Sequence, residues 1–286
     1  MNSILDMSVV RKYTPARKGV AYALQFPRSV RRWASTASQF SANPPVIVNS
    51  IPKSGTHMLM QIARGLPDTR YYGSFLAQQP SLSLRKRSDR EILFHLSRIV
   101  PGEIVGAHLN YSSAVSAAMA AKNIVHFLII RDPVEIFLSE LHYLSEMNRF
   151  HRMAKEYKCA NQDQRLDICL NGSQKIPDRY PDFEQRILPY SGWLNDPNVC
   201  VVRYEDLMDA SRQKGEIARL LNHWAGAGGN RSEQDVRLDV AQAAIDPSQS
   251  HTISNRNRSE DRKVAVDWLK HNLIRRTRSA IGYEGR

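Results

Sequence analysis

The sequence predicts an α/β fold, a parallel sheet flanked by helices, and three observations point to it. Short apolar runs of strand length recur along the chain, stretches of helical length separate them, and Lys53, Ser54 and Gly55 form a sharp turn between the first run and its helix. Strands apolar on almost every residue are buried on both faces, which requires helices on both sides of the sheet.

The elements follow in order. Ser41-Ala-Asn-Pro-Pro45 is a cluster of chain breakers and divides a segment 1–44 from a folded domain 45–286. Val46–Ile51 reads as a buried strand and Thr56 to about Gly65 as a helix. Glu103–His108 is the second strand, with an Ala-rich helix near Ser112–Ala121 behind it. Ile124–Ile130 is the third; Asp132 suits the N-cap and Pro133 the first position of the helix that follows, to about Met147. Asn198–Arg203 is the fourth strand. Residues 148–181 are polar, charged and weakly periodic, and predict an irregular insertion that serves as a lid or acceptor loop. Helical patterns resume near Phe183, and Gly226–Gly229 separates two of them.

Composition bounds the rest. A chain of 286 residues, 42% hydrophobic and 24% charged, holds one large domain or two small ones and buries a core without staples. Its three cysteines are too few for a disulfide framework and fit a reducing cytosol. Cys200 belongs to an apolar strand, while Cys159 and Cys169 either pair or, as expected, remain two free thiols. A net charge of +12 draws the chain to anions: nucleotides, acidic glycans, nucleic acid or anionic lipid. No run approaches the roughly 18 apolar residues of a membrane span, and the N-terminus has no signal-peptide core, so a cytoplasmic location is expected. Residues 1–44 set Arg11, Lys12, Arg17, Lys18, Arg28, Arg31 and Arg32 against Asp6, with Tyr22, Leu24, Phe26 and Trp33 between. Such a segment is either a solvated extension or a peripheral contact with an anionic membrane.

The turn Ile51-Pro52-Lys53-Ser54-Gly55-Thr56 carries the chemistry. Backbone N–H groups at a strand-to-helix turn converge on one point, and the helix dipole favours an anion there. Gly55 permits close approach, Thr56 adds a hydroxyl, and Lys53 adds a charge. The loop of a P-loop kinase has its lysine directly after the last glycine, whereas here the lysine precedes it and no glycine stands five residues before Gly55. A second anion element follows the third strand. Arg131 closes that strand and Ser139 lies two helical turns on, so a guanidinium and a hydroxyl can meet one phosphate.

Pro52-Lys-Ser-Gly-Thr56 resembles the 5′-phosphosulfate loop of the sulfotransferases that use 3′-phosphoadenosine-5′-phosphosulfate (PAPS), a family with a P-loop NTPase-like fold. The resemblance runs from about Val46 to Trp268. His57 and Met58 stand where the family has a second threonine and an adenine-stacking tryptophan. The resemblance implies that Lys53, Ser54, Gly55, Thr56, His57 and Met58 contact the donor. It also implies that Arg131 and Ser139 bind its 3′-phosphate and that Tyr204, in Tyr204-Glu-Asp-Leu207, faces the base. Arg262-Lys263-Val-Ala-Val-Asp-Trp268 resembles the loop that folds over the 3′-phosphate, without that loop's two glycines and one residue shorter. Arg262 and Lys263 are the candidates there, with Arg256 or Arg258 as alternatives.

Sulfuryl transfer needs a base for the acceptor hydroxyl and a cation at the leaving oxygen. His108, in Ala107-His-Leu-Asn110, resembles the family's catalytic histidine, with Gly106 in place of a lysine and Asn110 in place of a proline. Lys53 is the neutralising cation. Glu103 and Glu140 are reserve bases, and no metal is called for. Residues 148–181 carry Arg149, Arg152, Lys155, Lys158, Arg165 and Lys175, which points to a polar, carbohydrate-like and anionic acceptor. Two other functions remain open, a P-loop kinase-like phosphotransferase and a non-catalytic polyanion binder. The second leaves Lys53 and Arg131 without an account, and nucleic acid is not expected as a partner.

Overall fold

The computed structural model describes residues 42–230 and 274–283, together with Val30 and Arg32. Five parallel strands form one sheet: β1 (Val46–Ser50), β2 (Arg70–Ala77), β3 (Glu103–His108), β4 (Val125–Ile130) and β5 (Val199–Arg203), in the order β2-β3-β1-β4-β5. β1, in the centre, and β4 beside it are buried at every position, as their continuous apolar runs require. The chain turns at β1, with β3 on one side and β4 on the other, so a crevice opens at the carboxyl ends of these strands.

Each face of the sheet has its own apolar layer. On one, Val46, Val48, Ile104, Phe127, Ile129 and Val202 pack with Leu59 and Ile62 of α1 (Thr56–Arg64). Ile217, Leu221 and Trp224 of α9 (Ala210–Gly226) complete that layer. On the other, Ile47, Val105, Ala107, Leu128 and Ile130 meet six further helices. These are α2 (Asp89–Ser97), α3 (Ser113–Ala121), α4 (Pro133–His142), α5 (Ala154–Cys159), α6 (Gln162–Asn171) and α7 (Phe183–Ile187). A short helix α8 (Tyr204–Met208) follows β5, and α10 (Ile274–Ala280) returns near the C-terminus.

Local chemistry fixes the ends. Asp132 caps α4 by accepting from the Val134 amide at 2.9 Å, with Pro133 in the first turn, as expected. Ser88 and Glu91 form a capping box on α2, and Asn161 and Gln164 one on α6.

Two expectations are corrected. β2 is a strand the sequence did not announce: Arg70-Tyr-Tyr-Gly-Ser-Phe-Leu-Ala77 mixes exposed and buried positions, its register slips between Tyr71 and Phe75, and its one partner is β3. Nor is the stretch 148–181 irregular. It contains α5 and α6, and it buries Met153, Tyr157, Leu166, Cys169, Leu170 and Tyr180 in the core. Its apolar residues are sparse but regularly placed, so two short amphipathic helices read as a polar run. All three cysteines are free thiols, Cys159 exposed and the other two buried.

Candidate active site

The turn after β1 has an unusual backbone. Lys53 and Gly55 both adopt positive φ, 73° and 106°, on either side of Ser54. The Ser54 amide between them donates to the Ile51 carbonyl at 3.1 Å, and the sharp turn leads straight into the N-terminus of α1, where helical N–H groups are available to an anion. The residue type at position 55 is doubly determined: a Cβ there would lie 2.5 Å from the Tyr204 ring. Gly55→Ala is therefore expected to lower stability by about 2–4 kcal/mol, read as a lower urea midpoint. Ser54 is fully buried, and its hydroxyl has no hydrogen-bond partner among the described residues. Such a group costs about 1–3 kcal/mol unless something polar reaches it.

Thr56 begins a hydrogen-bonded chain that ends at His108. Its Oγ1 is 2.7 Å from Ser50 Oγ, which in turn is 3.0 Å from His108 Nδ1. His108 Nδ1 is also 2.9 Å from the Ser50 carbonyl oxygen. A carbonyl only accepts, so Nδ1 carries the hydrogen and Nε2 presents a lone pair. Burial pushes the His108 imidazole down to about 4, partly countered by the bond to Ser50, while the Lys53 charge lowers it further. The ring is neutral at pH 7.

Sequence reasoning did not single out the residue that holds this histidine in place. Asn49, fully buried in β1, accepts from the amides of Ser50 (2.9 Å) and Leu109 (2.8 Å) and donates to the Leu109 carbonyl (3.1 Å). The same carbonyl accepts from Trp193 Nε1 at 2.8 Å. An asparagine in an otherwise apolar strand was the available signal. Phe75 of β2 stands edge-on to His108, 4.9 Å between ring centres, in space that Gly106 leaves open.

Arg131 is buried and meets the same turn. Its guanidinium lies 3.5 Å from the Lys53 carbonyl oxygen, 4.3 Å over the Tyr204 ring and 3.1 Å from Glu135. Along α4, Glu135, Ser139 and Tyr143 follow at intervals of four and so share a face. The Lys53 ammonium rests 3.9 Å above the Tyr143 ring, so Lys53 meets Arg131 through its carbonyl and the far end of this stripe through its side chain. Tyr143 starts a π-helical turn, 143–147, and its hydroxyl accepts from Asn148 at 2.8 Å. Burial draws the Lys53 ammonium down to about 8, with Glu140 opposing the shift and Arg131 reinforcing it.

A model of the sulfotransferase domain matches residues 43–278. The chain belongs to the sulfotransferase family. No curated protein sequence matches it. The crystal structure of mouse sulfotransferase SULT7A1 complexed with PAP is 18% identical, with a TM-score of 0.50, covering 87% of this chain and 93% of the other. Two structures of retinol dehydratase are each 14% identical with TM-scores of 0.46. One, in complex with androsterone and inactive cofactor PAP, covers 85% of this chain and 85% of its own; the other, with retinol and PAP, covers 88% and 85%. The parallel α/β fold and the sulfotransferase family expected from the sequence stand.

The sulfotransferase brings Lys53, Ser54, Gly55, Thr56, His108, Arg131 and Tyr204 together at the carboxyl ends of its strands. His57 is exposed on the first turn of α1. Met58 is placed differently: at 7% exposure it packs in the apolar layer beneath α1, because helical periodicity turns it inward with Leu59 and Ile62. Of the reserve bases, Glu103 opens β3 at the opposite end from His108. It is fully buried there, accepting from Arg32, Ser74 and the Val100 amide, and so has a structural place. Glu140 accepts from Tyr180 (3.0 Å) and pairs with Arg186 (3.2 Å). His126 is core, edge-on to Trp193 at 4.5 Å and pushed down to about 3 by burial. Arg262 and Lys263, with Arg256 and Arg258, lie outside the described residues, as does nearly all of 1–44.

Proposed function

We propose that this sulfotransferase transfers a sulfuryl group from PAPS to a hydroxyl of a polar, carbohydrate-like acceptor. In this reading residues 45–286 are the catalytic domain and residues 1–44 a basic extension on the cytoplasmic face of an anionic membrane. The observation that carries it is the convergence of a desolvated ammonium, a neutral imidazole and a buried guanidinium at the ends of three neighbouring strands.

The turn suits the donor's anionic end, since the buried Ser54 hydroxyl has no hydrogen-bond partner among the described residues and the turn leads into the N-terminus of α1. PAPS supplies the activated sulfuryl group when bound. Lys53, Ser54, Gly55, Thr56 and His57 hold the 5′ end, while Arg131 and Ser139 hold the 3′-phosphate, with Arg262 and Lys263 completing that grip. Glu135 keeps Arg131 oriented in the meantime. Tyr204 backs both elements, and Met58 supports α1 from below. His108 removes the acceptor proton at Nε2, its ring fixed by Ser50 and Asn49. Lys53 neutralises charge on the departing bridge oxygen. The exposed cations Arg149, Arg152, Lys155, Lys158 and Lys175 support a polar, anionic acceptor.

The test is transfer of labelled sulfate from PAPS to a panel of saccharides, glycolipids and phenols, with thermal shifts by adenosine 3′,5′-bisphosphate and ATP alongside. Saccharide labelling and stabilisation by the bisphosphate are expected. Efficient labelling of phenols and of no saccharide would sink the acceptor assignment. Stabilisation by ATP alone would sink the donor assignment.

A further inference from the structure

Beside the site stands a surface whose exposed apolar side chains sulfuryl transfer does not use. The amide of Gln78 donates to the His108 carbonyl at 2.7 Å, so the loop after β2 begins at the base itself. Its neck is closed by the Arg87 amide on the Gln78 carbonyl (2.8 Å) and by Gln78 Nε2 on the Arg87 carbonyl (2.6 Å). Within it the amides of Ser83 and Leu84 turn back on the Pro80 carbonyl at 3.2 and 2.8 Å. Leu84 plugs into the core at 5% exposure, whereas Leu82, two residues earlier, stands 53% exposed at the tip. The Arg152 amide donates to the Ser81 carbonyl at 2.9 Å, which sets Phe150, 41% exposed, close to that tip. Gln79 ties the loop to the Arg179 carbonyl at 2.7 Å.

Cations surround these two apolar side chains: Lys86, Arg149, Arg152 and Arg179 are all exposed. Arg85 and Glu91 neutralise each other at 2.5 Å, and Asp178 offsets one of the remaining charges. We propose that this rim docks on the surface of an anionic lipid bilayer. Leu82 and Phe150 enter the interfacial layer, and the cations meet lipid headgroups. A soluble polyanion would use the charges but gain nothing from Leu82 and Phe150, two partly exposed apolar groups on adjoining segments, whereas a bilayer interface rewards both. No helix among the described residues is long and apolar enough to cross a membrane, so the contact is peripheral. Docking at this rim would bring His108 toward hydroxyls carried on lipid headgroups. The inference rests on surface composition and does not depend on the identity of the donor.

Sedimentation of the full-length protein with phosphatidylcholine vesicles, with and without phosphatidylglycerol, tests it. Binding is expected to the anionic vesicles and to weaken as salt rises. Leu82→Ser with Phe150→Ser should weaken it about tenfold or more, and Lys86→Glu with Arg152→Glu should do the same. Residues 1–44 are unchanged in every variant, so their contribution cancels. In Leu82→Trp the added emission should move to the blue on anionic vesicles. Unchanged emission, equal binding to both kinds of vesicle, or undiminished binding by the two double variants would overturn the proposal. So would capture by a soluble sulfated polysaccharide, without vesicle binding, that the charge reversals abolish and the apolar pair leaves intact.

Discussion

Lys53→Met is expected to abolish turnover while making the donor-free protein harder to unfold. The ammonium is held in a desolvated setting that draws it from 10.5 to about 8. The folded state therefore sheds a proton earlier than the unfolded chain. The burden on stability is full below pH 8 and disappears as pH rises past 10.5. A methionine of similar length removes that burden, and a gain of about 1–2 kcal/mol is expected, or roughly 2–4 °C per kcal/mol in melting temperature for a domain of this size. Turnover should fall by about 100- to 1,000-fold with the loss of a charge aimed at the leaving oxygen. In the wild type, kcat/KM should decline as pH rises through about 8, because Lys53 is then neutralised. Lys53→Arg should move that decline upward. Calorimetry across pH and initial rates check both halves, and a variant that melts lower than wild type at pH 7 would show that Lys53 stabilises the fold.

His108→Ala should lower kcat by about 100- to 10,000-fold and leave affinity for adenosine 3′,5′-bisphosphate near that of wild type. The imidazole touches Ser50 rather than the amides of the turn, so the two effects separate. The acid side is diagnostic as well. With its proton uptake pushed down to about 4, His108 remains a free base where an ordinary histidine is half protonated, so kcat/KM should hold down to about pH 5. The unfolded chain takes up that proton near pH 6.5. Stability is therefore full above 6.5 and falls as pH drops toward 4, with buried His126 adding a like effect down to about 3. An acid limb of kcat/KM at pH 6.5 would contradict the environment described for His108. Ser50→Ala leaves the carbonyl that fixes the tautomer, and its effect should remain within about tenfold.

Much of this was legible in the sequence because the informative segments are local. The four apolar strands, the Asp132 cap and the strand-to-helix turn are dictated by neighbours in the chain. β2 escaped because an edge strand needs only one partner and tolerates an exposed arginine, an exposed phenylalanine and a glycine. α5 and α6 escaped because α5 buries only Tyr157, and α6 only Leu166, Cys169 and Leu170, amid polar and charged neighbours. In the site, Lys53, His108 and Arg131 announced themselves by motif, while their supports did not. Asn49 and Ser50 act across 58 to 60 residues. The C-terminal brace is longer still. Arg278 pairs with Asp132 at 3.1 Å, and Tyr283 donates to Glu205 at 2.5 Å, while Glu205 also accepts from the Asp132 amide at 3.0 Å. Periodicity cannot report such contacts. Met58 shows the converse, a motif position whose inward orientation became visible only with the helix in place.

One amide side chain, that of Asn49, fastens the strand that leads into the anion turn to the strand that delivers the base. Neither can swing outward alone to let a molecule in or out. Traffic through this enzyme must therefore be handled by the pieces around the mouth, with the central scaffold staying still through every cycle.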